Sequence, residues 1–180
     1  MTIEPDFAVV LAAAKSGDTD AITVLYRAHN PALLRYYRTN APRVAEDLAQ
    51  EVWLSAAPRL GSFEGDEQQF KAWLFTVARR RLVDHWRASG RRVHEVHDEV
   101  EPVSGDGDPS ARVVGDAAIA ELTAELTDEQ REVITLRIVG GLSVDEVAAI
   151  IDKSPGAVRV IQHRALRKAA ARLNEAAVTK

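Results

Sequence analysis

Basic side chains without a single acidic one occupy the stretch from Lys153 to Leu173. They are Lys153, Arg159, Arg164, Arg167, Lys168 and Arg172. Ammonium and guanidinium groups neutralise phosphates, and a guanidinium can also donate two parallel hydrogen bonds to the edge of a guanine. Most basic helix ends are simply solvated surfaces. The absence of any acid over this stretch nevertheless favours a nucleic-acid partner.

The elements around this stretch have the start signals of two consecutive helices. Ser143 and Glu146 form a capping box, which predicts the start of a short helix. After a short break, Ser154 is placed as an N-cap and Pro155 at the first helical position, where its missing N–H costs nothing. Two helices joined in this way are typical of a helix-turn-helix, whose second helix lies in the DNA major groove.

The second helix divides into an apolar and a polar side. Val158, Ala165 and Ala169 share the side predicted to be buried. The outward positions near the helix start are candidates for phosphate and base contacts: Ser154, Pro155, Gly156, Arg159, Val160 and His163. Arg159 is the best candidate for guanine, and Val160 is placed to touch a thymine methyl group. The later residues Arg164, Arg167 and Lys168 are assigned to phosphates, which set register without specifying sequence.

A longer predicted helix, Gln69–Ala88, carries aromatic and basic side chains together. Its first apolar stripe is predicted to be core: Phe70, Trp73, Leu74 and Val77. A second stripe of Phe75, Leu82 and Trp86 is expected to be core too. The functional alternative is that these aromatics stack on unpaired bases beside the arginines of the same helix.

Another predicted helix, Val44–Ala57, has an acidic outer face that also carries Trp53 and Leu54. Tryptophan is enriched at binding hot spots, and a helix face is a common docking surface. The other interpretation is that Trp53 packs on the neighbouring helix Thr19–Arg38. The pattern leaves both open.

Bulk properties narrow the class of protein. The 180 residues correspond to one large domain or two small ones, and the hydrophobic share of 46% is ordinary for a globular protein. The absence of cysteine excludes disulfides and cysteine-based metal sites. There is neither a signal-peptide pattern nor an apolar run of membrane-spanning length, so we expect a cytoplasmic protein without membrane insertion. The net charge of −4 conceals two basic regions, each beside an acidic segment.

The clearest break in the chain is the segment 90–115, which is rich in Asp, Glu, Gly, Pro and Ser. Such a composition predicts a flexible acidic linker. It would join two small helical domains, 1–89 and 116–180, the second with the helix-turn-helix. No strand signal is present, so the predicted class is all-α. The remaining helices are expected at Asp6–Ser16, Asp116–Glu125 and Asp128–Val139. Thr127 and Gln130 are a candidate capping box at the start of the last of these.

Catalytic chemistry is poorly supported. His94 and His97 have metal-ligand spacing, but they lie in the predicted linker without a second pair. Glu46, Asp47 and Glu51 form a carboxylate cluster, but no nucleophile or enclosed pocket accompanies it. A glycine-rich phosphate loop is absent. We therefore expect no enzyme activity, no cofactor and no metal.

Three motifs together resemble an extracytoplasmic-function (ECF) sigma factor of the sigma-70 family, over nearly the whole chain. AEDLAQEVWL (Ala45–Leu54) is similar to its polymerase-binding helix, and FKAWLFTVARRRLVDHWR (Phe70–Arg87) to its promoter-melting helix that reads the −10 element. LTDEQREVITLRIVGGLSVDEVAAIIDKSPGAVRVIQHRAL (Leu126–Leu166) is similar to its −35-reading domain. All three in this order are highly specific, although each alone is only moderately so.

The resemblance implies roles and partners. Core RNA polymerase, through the β′ coiled coil and the β subunit, would be bound by Glu46, Asp47, Gln50, Glu51 and Trp53. A flipped base of the −10 non-template strand would enter a pocket at Phe63, Glu64, Gly65 and Asp66. The same strand would be lined by Arg79, Arg80, Asp84 and Arg87. Duplex DNA at −35 would meet the second helix of the helix-turn-helix, and the linker would run along the polymerase cleft. An anti-sigma factor is expected as a partner, able to hold the chain at the membrane.

The sequence also departs from the family pattern. Arg80 stands where many members have Asn, which favours phosphate contact over base capture there. Val160 and Ile161 replace a polar pair, which suggests altered −35 specificity or a subgroup pattern. A helix-turn-helix regulator that binds operator DNA without polymerase shares only the C-terminal motif. The other two motifs favour the sigma factor.

Overall fold

The computed structural model describes residues 6–90, 119 and 123–178. Over these residues the elements are helices, without a strand, as the predicted all-α class requires. The α-helices are α1 (Phe7–Lys15), α2 (Thr19–Asn40), α3 (Ala45–Ala56), α4 (Glu67–Ala88), α5 (Asp128–Ile138), α6 (Val144–Ile151) and α7 (Pro155–Val178). Short 3₁₀-helices at Pro42–Val44 and Ala57–Ser62 flank α3. The segment 90–115, predicted to be a linker, lies outside the described residues except for Gly90, as does most of the predicted helix Asp116–Glu125.

Helix starts follow the local sequence closely. The predicted capping boxes at Ser143–Glu146 and Thr127–Gln130 are both formed. A third box, Asp66 with Gln69, starts α4 two residues before the position that the apolar pattern predicted. Each box satisfies two backbone N–H groups that have no partner within the helix.

The N-terminal helices α1 to α4 pack around buried aromatic side chains. Phe70 of α4 is fully buried, and its ring lies 5.1 Å from the ring of His29 on α2. Tyr37 of α2 is also buried, and its hydroxyl donates a hydrogen bond to the carbonyl oxygen of Ala78 on α4 over 2.8 Å. Burial of large aromatic surface at the crossing of α2 and α4 stabilises this part of the fold.

The C-terminal helices form the predicted helix-turn-helix. α6 ends at Asp152, which has a left-handed backbone conformation (φ 58°), and α7 begins at Pro155. The hydroxyl of Ser154 accepts a hydrogen bond from the backbone N–H of Ala157 over 3.1 Å, as expected of an N-cap. Val158, Ala165 and Ala169 are buried, as predicted. α7 therefore packs on both α5 and α6 and leaves its remaining face to solvent.

The two groups of helices also pack on one another. α5 lies against α2 and α6 lies against α4, so that buried residues of both groups join one continuous hydrophobic cluster. Phe75, Leu82 and Trp86 of α4 are buried in it, which confirms the prediction that this stripe is core. The burial of Phe75 and Trp86 leaves neither aromatic ring available for stacking on a base. None of the described helices is long and apolar enough to cross a bilayer.

Candidate nucleic-acid interface

The first turns of α7 form an exposed surface. Most of the residues predicted to contact bases there are exposed: Ser154, Pro155, Gly156, Arg159 and His163. Free backbone N–H groups at the helix start and the partial positive charge of the helix dipole favour an anion at this end. Arg159 projects from the exposed side of the second turn, where a side chain that enters a groove can reach base edges.

Val160 does not belong to this surface, and the prediction that it points outward is wrong. Only 9% of its surface is exposed. Because α7 is covered by both α5 and α6, its apolar side is wider than the single stripe that the spacing from Val158 predicted. A base methyl group cannot reach a side chain that is buried in this way.

Apart from Arg159, the basic residues from Lys153 to Arg172 divide into two groups. Arg164, Arg167 and Lys168 are exposed, as expected for phosphate contacts. Lys153 and Arg172 instead form ion pairs within the C-terminal helices: Lys153 Nζ lies 2.8 Å from Glu129 Oε1, and Arg172 Nη1 lies 2.5 Å from Glu125 Oε1. The positively charged surface is therefore smaller than the number of basic residues in this segment of the sequence predicted.

Arg137 of α5 holds the helix-turn-helix together, a role that the sequence pattern did not reveal. Its Nε donates a hydrogen bond to Oε1 of Gln162 on α7 over 3.0 Å. Its Nη1 donates to the carbonyl oxygen of Leu142, just before α6. One planar guanidinium thus ties α5 to both helices of the motif. The sequence alone does not distinguish an arginine in the last turn of a helix that bonds to neighbouring elements from one that is exposed to solvent.

The loop before α4 brings together the residues predicted to capture a base. Phe63 is half-buried, with its ring 5.3 Å from that of Trp73 and 5.4 Å from that of Phe70. Glu64, Gly65 and Asp66 are exposed beside it. Trp73 was predicted to be core, but it is only half-buried and forms an aromatic wall next to this loop.

Two hydrogen bonds and the conformation of one glycine fix the shape of this loop. Lys15 Nζ on α1 donates a hydrogen bond to the carbonyl oxygen of Phe63 over 2.8 Å. Gly65 has a φ of 147°, and a Cβ there would lie 2.6 Å from Gln69 Oε1, so glycine suits the position. The carboxylate of Asp66 accepts the backbone N–H of Gln69 over 2.8 Å and therefore caps α4 rather than pointing away from it.

The four charged residues predicted to line the −10 strand do not share one face of α4. Arg80, Asp84 and Arg87 are exposed and spaced by four and three positions, which puts them on the same side of the helix. Arg79 lies about 100° away around the axis, as consecutive residues must. It faces the C-terminal helices, where its Nε lies 3.1 Å from Glu132 Oε1 on α5.

The acidic helix α3 keeps its carboxylates at the surface but buries its tryptophan. Glu46, Asp47, Gln50 and Glu51 are exposed. Glu46 lies 3.0 Å from Arg38 Nη2, and this arginine lowers the pKa of the Glu46 carboxyl by hydrogen bonding to it. Glu51 lies 3.7 Å from Arg81 Nη1. Two of the four polar groups are therefore held in place by arginines of the neighbouring helices.

Of the two interpretations left open for Trp53, packing on the neighbouring helix is the one observed, and its assignment to the polymerase-binding residues is wrong. Trp53 is only 8% exposed because its ring packs 5.3 Å from that of Tyr26 and its Nε1 donates to Asn30 Oδ1 over 3.1 Å, both on α2. The large apolar side chain that α3 presents to solvent is Leu54, which is 68% exposed.

The contact between Arg79 and Glu132 is unusual for its burial. The Glu132 side chain is only 6% exposed, and its Oε1 also accepts a hydrogen bond from the Tyr36 hydroxyl over 3.1 Å. Burial raises the pKa of Glu132, while Arg79 and the Tyr36 hydrogen bond act against that rise. Burial raises the pKa of Tyr36 as well, which keeps the phenol protonated as a donor.

In the described part of the chain, His, Cys, Asp and Glu side chains do not form a group of three or more that could hold a metal ion. The two histidines considered for a metal, His94 and His97, lie outside the described residues.

Comparison with known proteins agrees with the motifs. Residues 25–92 match the family model described as Sigma-70 region 2, and residues 116–168 match Sigma-70, region 4. The ECF RNA polymerase sigma factor BldN of Streptomyces coelicolor is 35% identical over 86% of this chain, and the match spans 61% of the relative's own length. The ECF RNA polymerase sigma factor SigD of Mycobacterium tuberculosis is 34% identical over 88% of this chain and 80% of its own length.

Solved structures show the same similarity. CnrH in complex with the cytosolic domain of CnrY has a TM-score of 0.65 at 27% identity, covering 96% of this chain and 99% of that chain. The sigma factor RpoE from Bartonella quintana, in complex with the anti-sigma factor NepR, has a TM-score of 0.62 at 27% identity, covering 83% and 94%. The chain belongs to the ECF sigma factors of the sigma-70 family.

Proposed function

We propose that this protein is a non-catalytic subunit that directs RNA polymerase to promoters with −10 and −35 elements. The single observation that carries the proposal is the exposed start of α7, where Arg159 and His163 are free of the core and the N-cap at Ser154 is formed. This geometry suits major-groove reading of duplex DNA. Arg164, Arg167 and Lys168 would then neutralise phosphates and set the register.

The −10 element is assigned to the loop before α4 and to one face of that helix. Phe63 and Trp73 supply aromatic faces on which an unpaired base could stack. Arg80 and Arg87 lie on a common face that would follow the strand backbone, with Asp84 between them. Phosphate contact by Arg80 suits the arginine better than base capture does.

The polymerase surface is assigned to the exposed side of α3. Asp47, Gln50 and Leu54 are exposed there, and Glu46 and Glu51 are oriented by Arg38 and Arg81. An exposed leucine among carboxylates combines an apolar anchor with charges that steer association. The partner would be the β′ coiled coil of core polymerase, so the chain would act in the cytoplasm. An anti-sigma factor is the other partner we propose, since relatives of similar fold are found in complex with one.

Run-off transcription on fragments of the host genome tests the function directly. Purified core polymerase is assayed with and without this protein, and we expect new transcripts that start downstream of shared −35 and −10 sequences. The control is the free protein in a DNA-binding assay, where we expect only weak binding. Tight operator binding by the free protein, with no stimulation of transcription at any fragment, would indicate a polymerase-independent regulator instead.

A further inference from the structure

The centre of the contact between the two groups of helices is a buried, charged cluster. Arg79 of α4 and Tyr36 of α2 both donate to the same oxygen of Glu132 on α5, each over 3.1 Å. Within the described residues, Arg79 is the cation whose charge acts on this carboxyl. The N-terminal helices therefore supply both donors, and the C-terminal helices supply the acceptor.

Further polar contacts cross the same boundary. Asn40 Nδ2 on α2 donates to Thr135 Oγ1 on α5 over 3.1 Å. Gln68 Nε2 on α4 donates to Glu146 Oε2 on α6 over 2.9 Å and to the carbonyl oxygen of Gly141 over 3.2 Å. These contacts are specific in direction and register, which a loose association of two domains does not require.

Apolar packing closes the rest of the boundary. Phe75 of α4 is 2% exposed, and a Cβ added to Gly140 would lie 3.3 Å from its ring. Val133 and Leu136 of α5 are fully buried in the cluster that both groups share. Opening this interface exposes the apolar cluster to water, which costs free energy. The carboxylate and the guanidinium regain hydration when they separate, so the ion pair specifies the closed arrangement more than it stabilises it.

The closed arrangement conflicts with reading a promoter in two parts. Elements centred at −35 and −10 are separated by 25 base pairs, or about 85 Å of B-form duplex. A compact chain of 180 residues has a radius of gyration of about 16 Å, and hence a diameter of about 40 Å. The helices that would read the two elements must separate before both can engage.

We propose that Glu132 is a built-in competitor for nucleic acid: its carboxylate takes the place of a phosphate on Arg79 and holds the chain closed. The inference rests on the proposed function and adds one contact to it. Arg79, which lies off the face that carries Arg80 and Arg87, contacts the −10 strand once Glu132 releases it. Binding of polymerase and promoter releases Arg79 from Glu132 and separates α5 and α6 from α2 and α4. Because only open chains can bind, the apparent affinity of the free chain for polymerase and promoter equals the affinity of the open form multiplied by the fraction of chains that are open.

The test compares two carboxylates on the same helix. Glu132→Gln removes the charge that faces Arg79, whereas the control Glu129→Gln removes a charge paired with Lys153 inside the C-terminal group. Because the chain has no cysteine, Ala12→Cys and Ala149→Cys, both at exposed positions, allow specific labelling for energy transfer between the two groups. We expect high transfer in the parent and in the Glu129 variant, and a shift towards lower transfer in the Glu132 variant.

Folding is followed by helical circular dichroism, and Tyr36→Phe serves as a second variant. It removes one hydrogen bond to Glu132 and leaves both charges, so it should shift the transfer in the same direction by less. Unchanged transfer in both variants, or a parent chain that is already open, would overturn the proposal.

Transcription by the unlabelled chains separates this proposal from the proposed function. We expect Glu132→Gln to reach half-maximal run-off with core polymerase at a concentration several-fold lower than the parent, and Glu129→Gln to match the parent; a tenfold change would correspond to about 1.4 kcal/mol. Suppose that neither the parent nor any variant supports transcription, while energy transfer still differs between the Glu132 and Glu129 variants. The proposed function then fails, and the closed state of the chain stands. If transcription is normal but Glu132→Gln changes neither readout, only the competitor role fails.

Discussion

The indole Nε1 of Trp53 on α3 donates a hydrogen bond to the side-chain oxygen of Asn30 on α2 over 3.1 Å. The polar group of the tryptophan is thereby satisfied inside the protein, and its ring is covered by Tyr26. The outer surface of α3 is left to carboxylates and to the exposed Leu54. Two adjacent residues of one helix therefore have opposite environments, one inside the core and one in solvent.

Trp53→Ala should affect the stability of the fold, whereas Leu54→Ala should affect binding to core polymerase. Loss of the buried indole should lower the free energy of unfolding by about 3–5 kcal/mol, whereas loss of the exposed leucine should change it by less than about 0.5 kcal/mol. Leu54→Ala should weaken binding to core polymerase. Urea denaturation and a polymerase titration measure the two quantities. An unchanged polymerase affinity for Leu54→Ala would remove α3 from the docking surface.

Arg159 and Arg167 should differ in what they contribute to DNA binding. Arg159→Ala should cost roughly 1–3 kcal/mol and relax the preference at one −35 position, because base contacts specify sequence. Arg167→Ala should weaken binding about equally for every promoter variant and reduce the salt dependence by about one charge. Holoenzyme binding to a set of promoters with single −35 substitutions measures both. A uniform loss for Arg159→Ala would contradict its base-reading role.

Val160→Ala should act on stability and leave promoter preference unchanged. The side chain is buried, so the loss of its two methyl groups should lower the free energy of unfolding by roughly 1 kcal/mol, partly offset by the higher helix propensity of alanine. Denaturation and the same set of −35 variants provide the measurement. A changed base preference with unchanged stability would instead indicate that Val160 contacts a base in the DNA major groove.

His29 should make the fold sensitive to mild acid. Burial lowers its pKa below the ordinary value of 6.5, with Glu67 acting against that shift and Lys71 adding to it. Between these two pKa values, His29 is protonated in the unfolded chain and neutral in the folded chain. The stability that the neutral imidazole contributes is present above pH 6.5 and is lost as the pH falls from there towards the folded pKa.

Urea denaturation across about pH 5 to 8 of the parent and of His29→Gln, which stays neutral, measures this effect. The parent should lose more stability than the variant on acidification. Parallel pH profiles would show that His29 is not the group responsible.

Local features of the fold were predictable from the sequence because they depend on residues three or four positions apart. The capping boxes at Thr127 and Ser143 and the restart at Ser154-Pro155 are confirmed, each by hydrogen bonds within one turn. The buried side of α7 follows from the same short spacing. Those elements and the basic surface were enough to predict a helix-turn-helix.

Other features depend on neighbours that are distant in the chain. Trp53 and Val160 have positions on their helices that local periodicity assigns to the surface, but adjacent helices cover them. Arg79 and Arg80 are consecutive arginines with the same local preference. Among the residues that the structure describes, only Arg79 of the two contacts a carboxylate, and that carboxylate lies 53 positions away in sequence.

The sequence by itself therefore determined where most of the described helices start, the helix-turn-helix and the family, because caps, periodicity and motifs are local properties of the chain. Only the tertiary structure decided which members of each motif are available. The packing of α5 and α6 against α2 and α4 places Glu132 on Arg79, and burial is a property of the whole set of packed surfaces.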